Sequence, residues 1–546
     1  MRRALAPLSL AALACACWVE NPLYGADGSA ATTASTASAT AATTTAASAS
    51  ESDASASTLG TTTASTASTT AGTTALTVTS DTGAASSSTD ATTDATTGGG
   101  GFTCANASPG GPPLWVQRIG GNGDLFASEV AVAGDGSVFV VGRFRGAATV
   151  EALSAEGSLF DDEVFVVRLA ADGSPLWLRA FTGPENDAGT AITVDAAGSA
   201  VIVGHFAGTL SLGGQMAQSN GGSDAFIARL DPQGELLWTR AFGSPQDDLL
   251  HDVALGVGGG IVASGTIGKL PNVLDLGNGV TIASDGAHAL LVAFDPSGGP
   301  TAAITATSNQ AGGTSVAANL TVGPLQEIYT AGSFLTGDFT LAGKTRSPQG
   351  ASDHWIARLD NTVATWLLGG GDSALQSGRN VALDATAGRL YGSARFSGGL
   401  GIAGLKSDDG TPDAALFALD PEKSSPLWGR AVKGDGDMTP EGLAVDSMGR
   451  VRWAIDYRVG ATVGGDPVPA LGADVLLLTL DSEGTLLATR RITGMGEQEA
   501  EDLAAVPGGC LAVVGSFTGD LAVDDDPPIL PVIIDDRDAF VLLLPP

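Results

Sequence analysis

The sequence predicts an all-β protein built from one repeated unit. Residues Asp224–Trp238 (DAFIARLDPQGELLW) alternate apolar and polar side chains, turn at an Asp-x-x-Gly segment and resume as an apolar run, which is the pattern of a β-hairpin. A second hairpin precedes it, at Ile192–Phe206. The motif that begins at Asp224 occurs seven times, at intervals of 60 to 65 residues. Its copies begin near Asp162, Asp224, His288, Asp353, Asp413, Asp474 and Asp538. Four strands per repeat, with almost no helical periodicity, predict a seven-bladed β-propeller of four-stranded blades.

The two ends of the chain predict how the ring closes. The seventh copy, Asp538–Pro546, lacks the Leu-Trp strand that should follow it, and an unpaired PLWVQRIGG segment precedes the first blade. We expect residues 114–119 to pair with Phe540–Leu544, because an open ring would leave an exposed strand edge. Cys104 lies just before that strand and Cys510 lies in blade seven. A disulfide between them would lock the closure, and the alternative is two unpaired thiols.

These repeats resemble a known family. Residues 113–546 resemble the SBBP-repeat family of bacterial seven-bladed propellers. The repeat of that family joins two motifs, V-x-V-D-x-x-G-N-V-Y-V-x-G-x-F and D-A-F-V-x-K-L-x-x-x-G. The resemblance implies an exported propeller at the cell surface or outside the cell. It implies no fixed activity, because one fold can carry many functions.

The region before the propeller predicts export and tethering. Residues 1–17 begin with two arginines and an apolar stretch, as in a bacterial signal peptide, and ALAC at Cys15 resembles a lipobox, with Cys17 as a second lipidation candidate. Residues 18–101 are mostly Ala, Ser, Thr and Gly, which predicts a disordered stalk. The propeller then occupies residues 102–546. We expect an outer-membrane or cell-surface lipoprotein, or alternatively a secreted protein.

Charge narrows the class of partner. The chain has a net charge of −33, and residues 102–546 contribute −28 of it, with 52 acidic and 24 basic residues. Such a surface repels nucleic acid and anionic lipid head groups. We therefore expect no nucleic-acid partner, membrane contact only through a lipid anchor, and a monomer that binds an extracellular protein or a glycan.

Two sets of recurring side chains are candidates for a site. Five tryptophans occupy the Leu-Trp position, where recurrence favours packing between blades over sugar binding; they are Trp115, Trp177, Trp238, Trp366 and Trp428. Acidic residues also recur where each outer strand leads to the next blade, and such connections converge on one mouth of a propeller channel. They could form a rim that binds Ca²⁺ or a basic ligand, or could simply be solvated. The residues assigned to this rim are Asp187, Asp248, Asp372, Asp437 and Glu501.

Catalytic motifs are missing from the sequence. It has no G-x-S-x-G elbow, no H-E-x-x-H motif and no D-x-D-x-D-G calcium loop, and its four histidines are dispersed. The sequence therefore favours a non-enzymatic binding or scaffolding module that needs no cofactor. The alternative is a carbohydrate-active hydrolase or lyase that uses carboxylates at the channel mouth.

Overall fold

The computed structural model describes Cys104 and residues 107–546, except 311–312, 408–409, 435, 464, 471 and 525. The predicted seven-bladed β-propeller of four-stranded antiparallel blades is confirmed. The predicted signal peptide, the lipidation candidates Cys15 and Cys17, and the stalk lie outside the described residues. Within the part of the chain that the structure describes, no helix is long and apolar enough to cross a membrane.

Each blade runs from an inner strand beside the channel, through two middle strands, to an outer strand. The closing strand is β1 (Trp115–Gly121). The hairpins and short strands outside the four-strand pattern are β4 (Ala147–Val150), β5 (Leu153–Glu156), β10 (Thr209–Leu212), β11 (Gln215–Gln218), β16 (Leu274–Gly277), β17 (Val280–Ile282), β20 (Thr307–Ser308), β23 (Phe339–Leu341), β24 (Lys344–Arg346), β33 (Ala461–Val463) and β34 (Asp466–Val468). A short 3₁₀ helix, Val257–Gly259, lies in a turn of blade three.

The blade strands, from inner to outer, are as follows in chain order. Blade one is β2 (Leu125–Val132), β3 (Val138–Phe144), β6 (Glu163–Leu169) and β7 (Pro175–Phe181); blade two is β8 (Asp187–Val194), β9 (Ala200–Phe206), β12 (Asp224–Leu230) and β13 (Leu236–Phe242); blade three is β14 (Leu249–Leu255), β15 (Ile261–Ile267), β18 (His288–Phe294) and β19 (Pro300–Thr305); blade four is β21 (Ser315–Val322), β22 (Glu327–Phe334), β25 (Asp353–Asp360) and β26 (Val363–Gly370). Blade five is β27 (Gln376–Asp384), β28 (Arg389–Phe396), β29 (Asp413–Leu419) and β30 (Pro426–Gly434); blade six is β31 (Met438–Val445), β32 (Val451–Tyr457), β35 (Asp474–Leu480) and β36 (Leu486–Thr493); blade seven is β37 (Gln498–Ala505), β38 (Leu511–Val523), β39 (Leu530–Leu544) and β1.

Blade seven is completed by a strand from the start of the propeller. β1 pairs antiparallel with β39, with Trp115 opposite Leu543 and Ile119 opposite Ala539. Ile119 is fully buried. The inner strand β37 of blade seven contacts β2 of blade one, as every other inner strand contacts its neighbour, so the ring is closed. No blade is left with a missing outer strand.

A disulfide joins the segment before β1 to blade seven. Cys104 and Cys510 are bonded, with their Cα atoms 5.6 Å apart, although 406 positions separate them in the sequence. Both residues are buried, and both belong to the apolar cluster between blades seven and one. The bridge therefore lies at the same junction that β1 closes.

Backbone ladders also join neighbouring blades. We call the hairpin between the two middle strands of a blade its cap hairpin; in blades one, six and seven it pairs with the outer strand of the preceding blade. Thus β4 of blade one pairs with β1, β33 of blade six pairs with β30, and an extension of β38 pairs with β36. A smaller contact joins Thr182 of blade one to Ser211 of blade two. These pairings cover part of the outer edges, which would otherwise be unpaired.

The apolar core is divided into layers between blades. Phe139 and Val141 of blade one, for example, are buried against Ile202 and Phe226 of blade two. A single blade would therefore expose both of its apolar faces, and its stability depends on its neighbours.

The predicted packing role of the recurring tryptophans is confirmed. Trp177 of blade one donates its indole N–H to the carbonyl oxygen of Pro232 in the outer turn of blade two, at 2.9 Å, and Arg168 donates to the same oxygen at 2.8 Å. The indole ring lies against Gly234, whose φ of +79° suits the turn and which leaves no room for a side chain. The other four tryptophans make the equivalent bond, to Ala171, Pro296, Pro421 and Ser482. The L-W position and the outer turn recur together because the tryptophan of one blade bonds to the outer turn of the next.

We expect Trp177→Ala to lower the free energy of unfolding by about 3–5 kcal/mol, since it removes a largely buried aromatic ring. Trp177→Phe should cost less, because it keeps an aromatic ring and loses the bond to Pro232, worth about 1 kcal/mol, with part of the buried ring surface. Leu176→Ala, at a half-exposed neighbouring position, serves as the control and should change stability little. Denaturant unfolding measures all three, and equal losses for Trp177→Ala and Leu176→Ala would contradict the packing role.

The structure corrects one detail of the repeat. In blade two, Asp224 begins its strand and pairs with Phe206. In blade one, the equivalent residue is Glu163, which pairs with Phe144, and not Asp162. Asp162 lies one residue earlier and pairs with Arg143 and Arg145. Glu163 accepts hydrogen bonds from the backbone N–H groups of Ser158 and Gly183, as the longer side chain can reach both.

Candidate functional site: the central channel

Each inner strand has a bulge where it faces the channel. The strand pairing slips in every blade, for example between Ala127 and Glu129 in blade one and between Ala500 and Asp502 in blade seven. The other slips fall at Gly189/Ala191, Leu250/Asp252, Ala317/Asn319, Gly378/Val381 and Pro440/Leu443. A bulge re-aims the side chains beside it. Here the bulged residues form a ring around the channel.

Side chains near these bulges bridge all seven junctions between blades. The bridges, from the junction of blades one and two onwards, are Ile192 N–H to Glu129 (2.9 Å), Thr190 Oγ1 to Leu250 O (2.6 Å), Leu320 N–H to Asp252 (2.6 Å), Val381 N–H to Asn319 (2.8 Å), Asn380 Nδ2 to Glu441 O (2.8 Å), Ala500 N–H to Asp456 (3.0 Å) and Val130 N–H to Asp502 (3.2 Å). Most of these polar side chains therefore hold the ring together from its inside.

A small cavity lies in the channel. Its volume is about 60 Å³, and its lining residues are Ser128, Glu129, Thr190, His251, Asp252, Ala318, Asn319, Arg379, Asn380, Pro440, Glu441, Glu501 and Asp502. Pockets that take a small organic ligand measure roughly 300–1,000 Å³. A few water molecules fit this cavity, whereas a sugar ring with its substituents does not.

Burial raises the pKa of the carboxyl groups beside this cavity. The pKa of Asp252 rises to about 6, that of Asp502 to about 7 and that of Glu441 to about 8, in each case chiefly because the charged form loses hydration. Desolvation also raises the pKa of Glu501 well above its usual range, and the nearby charges of Glu441 and Glu499 add to the effect. The channel therefore favours protonated carboxyl groups.

Arginines neutralise other carboxylates beside the channel. Arg537 binds Glu499 at 2.5 Å and Glu497 at 2.7 Å, and Arg458 binds the same two residues at 3.0 and 3.2 Å. These four side chains link blades six and seven. Glu497 and Glu499 thus belong to an ion-pair network.

Two of the five residues predicted for an acidic rim are buried where an inner strand begins. Asp187 is 1 % exposed and accepts a bond from Ala207 N–H at 3.2 Å, while desolvation and the charge of Glu163 raise its pKa to about 8. Asp248 is fully buried and accepts bonds from Ser244 and from Gly268 N–H at 2.5 Å, and burial raises its pKa to about 6. Both side chains join the start of an inner strand to the segment that follows the next strand of the same blade.

The other three residues predicted for the acidic rim, Asp372, Asp437 and Glu501, also have different surroundings from one another. Asp372 is exposed and accepts bonds from Ala374 N–H, Gly399 N–H and the Gln376 amide, and the backbone bonds lower its pKa. Asp437 is paired with Arg395. Glu501 alone of the five lines the cavity, and it lies inside strand β37 rather than in a connection. Among the described residues, no group of three or more His, Cys, Asp or Glu side chains is placed to hold a metal ion.

The histidines near the channel are packed within the sheet. Burial lowers the pKa of His205, His251 and His354 to about 4. His251 lies beside Thr266, with its Nε2 3.3 Å from the hydroxyl oxygen. These imidazoles are therefore neutral at physiological pH.

Sequence reasoning missed the ring of bridges, although a signal was present. The residue directly before each V-A-V-like run is Glu129, Ala191, Asp252, Asn319, Asn380, Gly442 and Asp502. Five of the seven can hydrogen-bond, and all five do so across a blade junction. Aligning the inner hairpins, rather than counting acids in the connections, would have shown a fixed polar position.

We expect the free energy of unfolding to fall as the pH rises from about 4 to 8. An acid whose pKa is higher in the folded state binds its proton more tightly there, so its stabilising contribution is complete below the unfolded pKa and is lost as the pH passes the folded pKa. Asp502→Asn should stabilise the protein by about 2 kcal/mol at pH 8 and flatten the decline. The amide oxygen of Asn319 already accepts the equivalent bond, so the bridge survives.

Urea unfolding at pH 5, 6, 7 and 8 measures this effect. Glu156→Gln, at an exposed position in β5, is the matched control and should leave the pH profile unchanged. A wild-type stability that rises steadily from pH 5 to 8 would contradict the protonation of the channel.

The fold and the channel together define a β-propeller whose interior is closed by hydrogen bonds between blades. No protein-family model matches the chain. The regulatory protein FlaEY of Caulobacter vibrioides is 24 % identical over 361 residues, which cover 62 % of this chain and 36 % of that protein. The chain thus matches about a third of that relative's length.

Two solved structures align with the chain at low similarity. The WD40 domain of Pan2 from Neurospora crassa aligns with a TM-score of 0.39 and 10 % identity, covering 78 % of this chain and 90 % of that chain. A structure of YCF48 bound to D1 peptide aligns with the same TM-score and identity, covering 81 % and 98 %.

Proposed function

We propose that the protein is a non-enzymatic binding or scaffolding module, presented at the cell surface by its N-terminal region, that engages an extracellular protein or glycan with the outside of its ring. The observation that supports this most is the small cavity in the channel, of about 60 Å³, where most of the polar lining side chains already join blades. A binding module needs no internal pocket, because a macromolecular partner can be recognised on the surface. The similarity to a protein named as regulatory, at 24 % identity, agrees with this proposal.

The competing function is a carbohydrate-active hydrolase or lyase that uses channel carboxylates. One observation favours it: Glu501 and Glu441 line the cavity with raised pKa values, as a general acid requires. A glycosidase also needs room for a sugar between two carboxyl groups, and this cavity is too small for one.

A panel of glycan hydrolysis and elimination substrates, run on the full-length protein, tests the choice. We expect no turnover by wild type and no change in Glu501→Gln. Turnover that is lost in Glu501→Gln, while the variant keeps the wild-type melting curve, would establish the enzyme instead.

The surface-anchored part of the proposal has its own test. Protease treatment of intact cells should remove the propeller from wild type. Mass spectrometry of the mature N-terminus should find a diacylglyceryl cysteine at Cys15, or at Cys17, and serine at the modified position should release the protein from the membrane fraction. Propeller protected within intact cells would contradict surface display.

A further inference from the structure

The cap-hairpin face of blade one exposes two large apolar side chains side by side. Leu159 is 59 % exposed and Phe160 is 85 % exposed, and Phe160 is the most exposed large apolar side chain among the described residues. They lie between β5 and β6, on the face where the outer strands lead to the next blade. Folding therefore leaves most of the apolar surface of both side chains in water.

The repeat itself shows that the fold does not require these residues. The same connection reads GSLFDD in blade one, SNGGS in blade two, ASDGA in blade three and SPQGAS in blade four. Blades two to four make the turn with small and polar residues only. Blade one therefore departs from the pattern of blades two to four at two exposed positions, where packing gives little reason for large apolar side chains.

The loop that carries Leu159 and Phe160 is held in one conformation. The hydroxyl oxygen of Ser158 accepts bonds from the N–H groups of Phe160 (3.1 Å) and Asp161 (3.2 Å), and the hydroxyl donates to the Asp161 carboxylate (3.0 Å). The buried Glu163 carboxylate accepts the Ser158 N–H. A loop ordered before binding loses little further conformational entropy when a partner docks.

The charge around the loop indicates what it binds. Of the five acidic residues in 151–163, Asp162 is paired with arginines and Glu163 is buried, which leaves Glu151, Glu156 and Asp161 at the surface, within a propeller of net charge −28. Two copies of such a surface would repel each other, and anionic lipid would be repelled as well. A partner with an apolar surface flanked by lysine or arginine side chains is complementary both to Phe160 and to its acidic border.

We propose that Leu159 and Phe160 are the anchor of a docking surface, which we call the blade-one anchor, for a protein or peptide whose apolar face is flanked by basic side chains. Phe160 enters the apolar surface of the partner, Leu159 packs beside it, and Glu156 and Asp161 face the basic border. A few central side chains carry most of the affinity of such contacts. This inference rests on the proposed binding function.

The probe that tests it is a synthetic 14-residue amphipathic peptide of leucine and lysine, compared with a leucine and glutamate peptide of the same pattern. We expect the full-length protein to bind the leucine–lysine peptide in fluorescence anisotropy, and Phe160→Ser to weaken binding at least tenfold. Leu325→Ser is the matched control, because Leu325 is 82 % exposed but lies in a turn on the opposite face of the ring. It should change binding less than twofold.

Each outcome decides a different point. If Phe160→Ser binds as tightly as wild type, or if Leu325→Ser loses as much, the blade-one anchor is wrong while the module still binds its partner elsewhere. If wild type binds neither peptide, the partner chemistry stated here is wrong. Turnover in the substrate panel would overturn the proposed function itself, independently of either result.

Discussion

Deletion of Leu114–Ile119 will abolish cooperative folding, whereas deletion of Ala54–Leu59 will leave it intact. The first deletion removes most of β1, and with it the only partner of β39 on that side, the buried Ile119 and the bond of Trp115 to blade one. Burial of a large apolar side chain contributes about 1.5–3 kcal/mol. Several such losses together approach the whole stability of a typical domain.

The deletion of Ala54–Leu59 is the control, since it removes an equal number of residues before the propeller. Circular dichroism melting and the yield of monomer in gel filtration measure both variants. Strands left without partners should also make the first variant aggregate. If the two variants melt at the same temperature, β1 does not complete the ring.

Replacement of Cys510 by serine will destabilise the protein by about 3–5 kcal/mol under oxidising conditions. A cross-link mainly restricts the unfolded chain, and the effect grows with the length of the loop that it closes. The loop between Cys104 and Cys510 spans almost the whole propeller, with a separation of 406 positions. The chain-entropy relation gives about 6 kcal/mol for that length, and measured effects are usually smaller.

Denaturant unfolding with and without reductant measures this contribution. Cys104→Ser should lose the same amount as Cys510→Ser, and the double variant should lose no more than either, because all three remove one bond. Dithiothreitol should lower the stability of wild type to that of the variants and should leave the variants unchanged. A wild type that is indifferent to reductant would contradict a stabilising bridge.

Much of the fold could be read from local patterns. A period of two, a D-x-x-G turn and a repeat of 60 to 65 residues are local, and they predict strands, hairpins and the number of blades. The tryptophans were assigned to packing because one residue type recurred in one place, and their bonds to the next blade confirm it. The cap-hairpin ladders were not predicted, because a strand pairing between different blades leaves no mark on the alternation within either strand.

The candidate site was predicted less well, for a physical reason. The sequence around an aspartate in a connection does not show whether its side chain is solvated or buried. Asp248 is fully buried, whereas Asp372 is exposed. Glu501 was assigned to a connection, but the bulge of β37 places it inside the channel. A bulge inserts one residue without changing the surrounding composition, so the sequence does not reveal which face the next side chain takes.

The disulfide also determines how the propeller responds to mechanical load. A pull that arrives from the N-terminal side reaches Cys104 before it reaches β1, and there it passes through a covalent bond into blade seven at Cys510. The pairs that begin with Trp115 and Leu543 are thereby spared a force that would unzip them one at a time. A load applied through the segment before Cys104 would thus pass to blade seven without peeling β1 from β39.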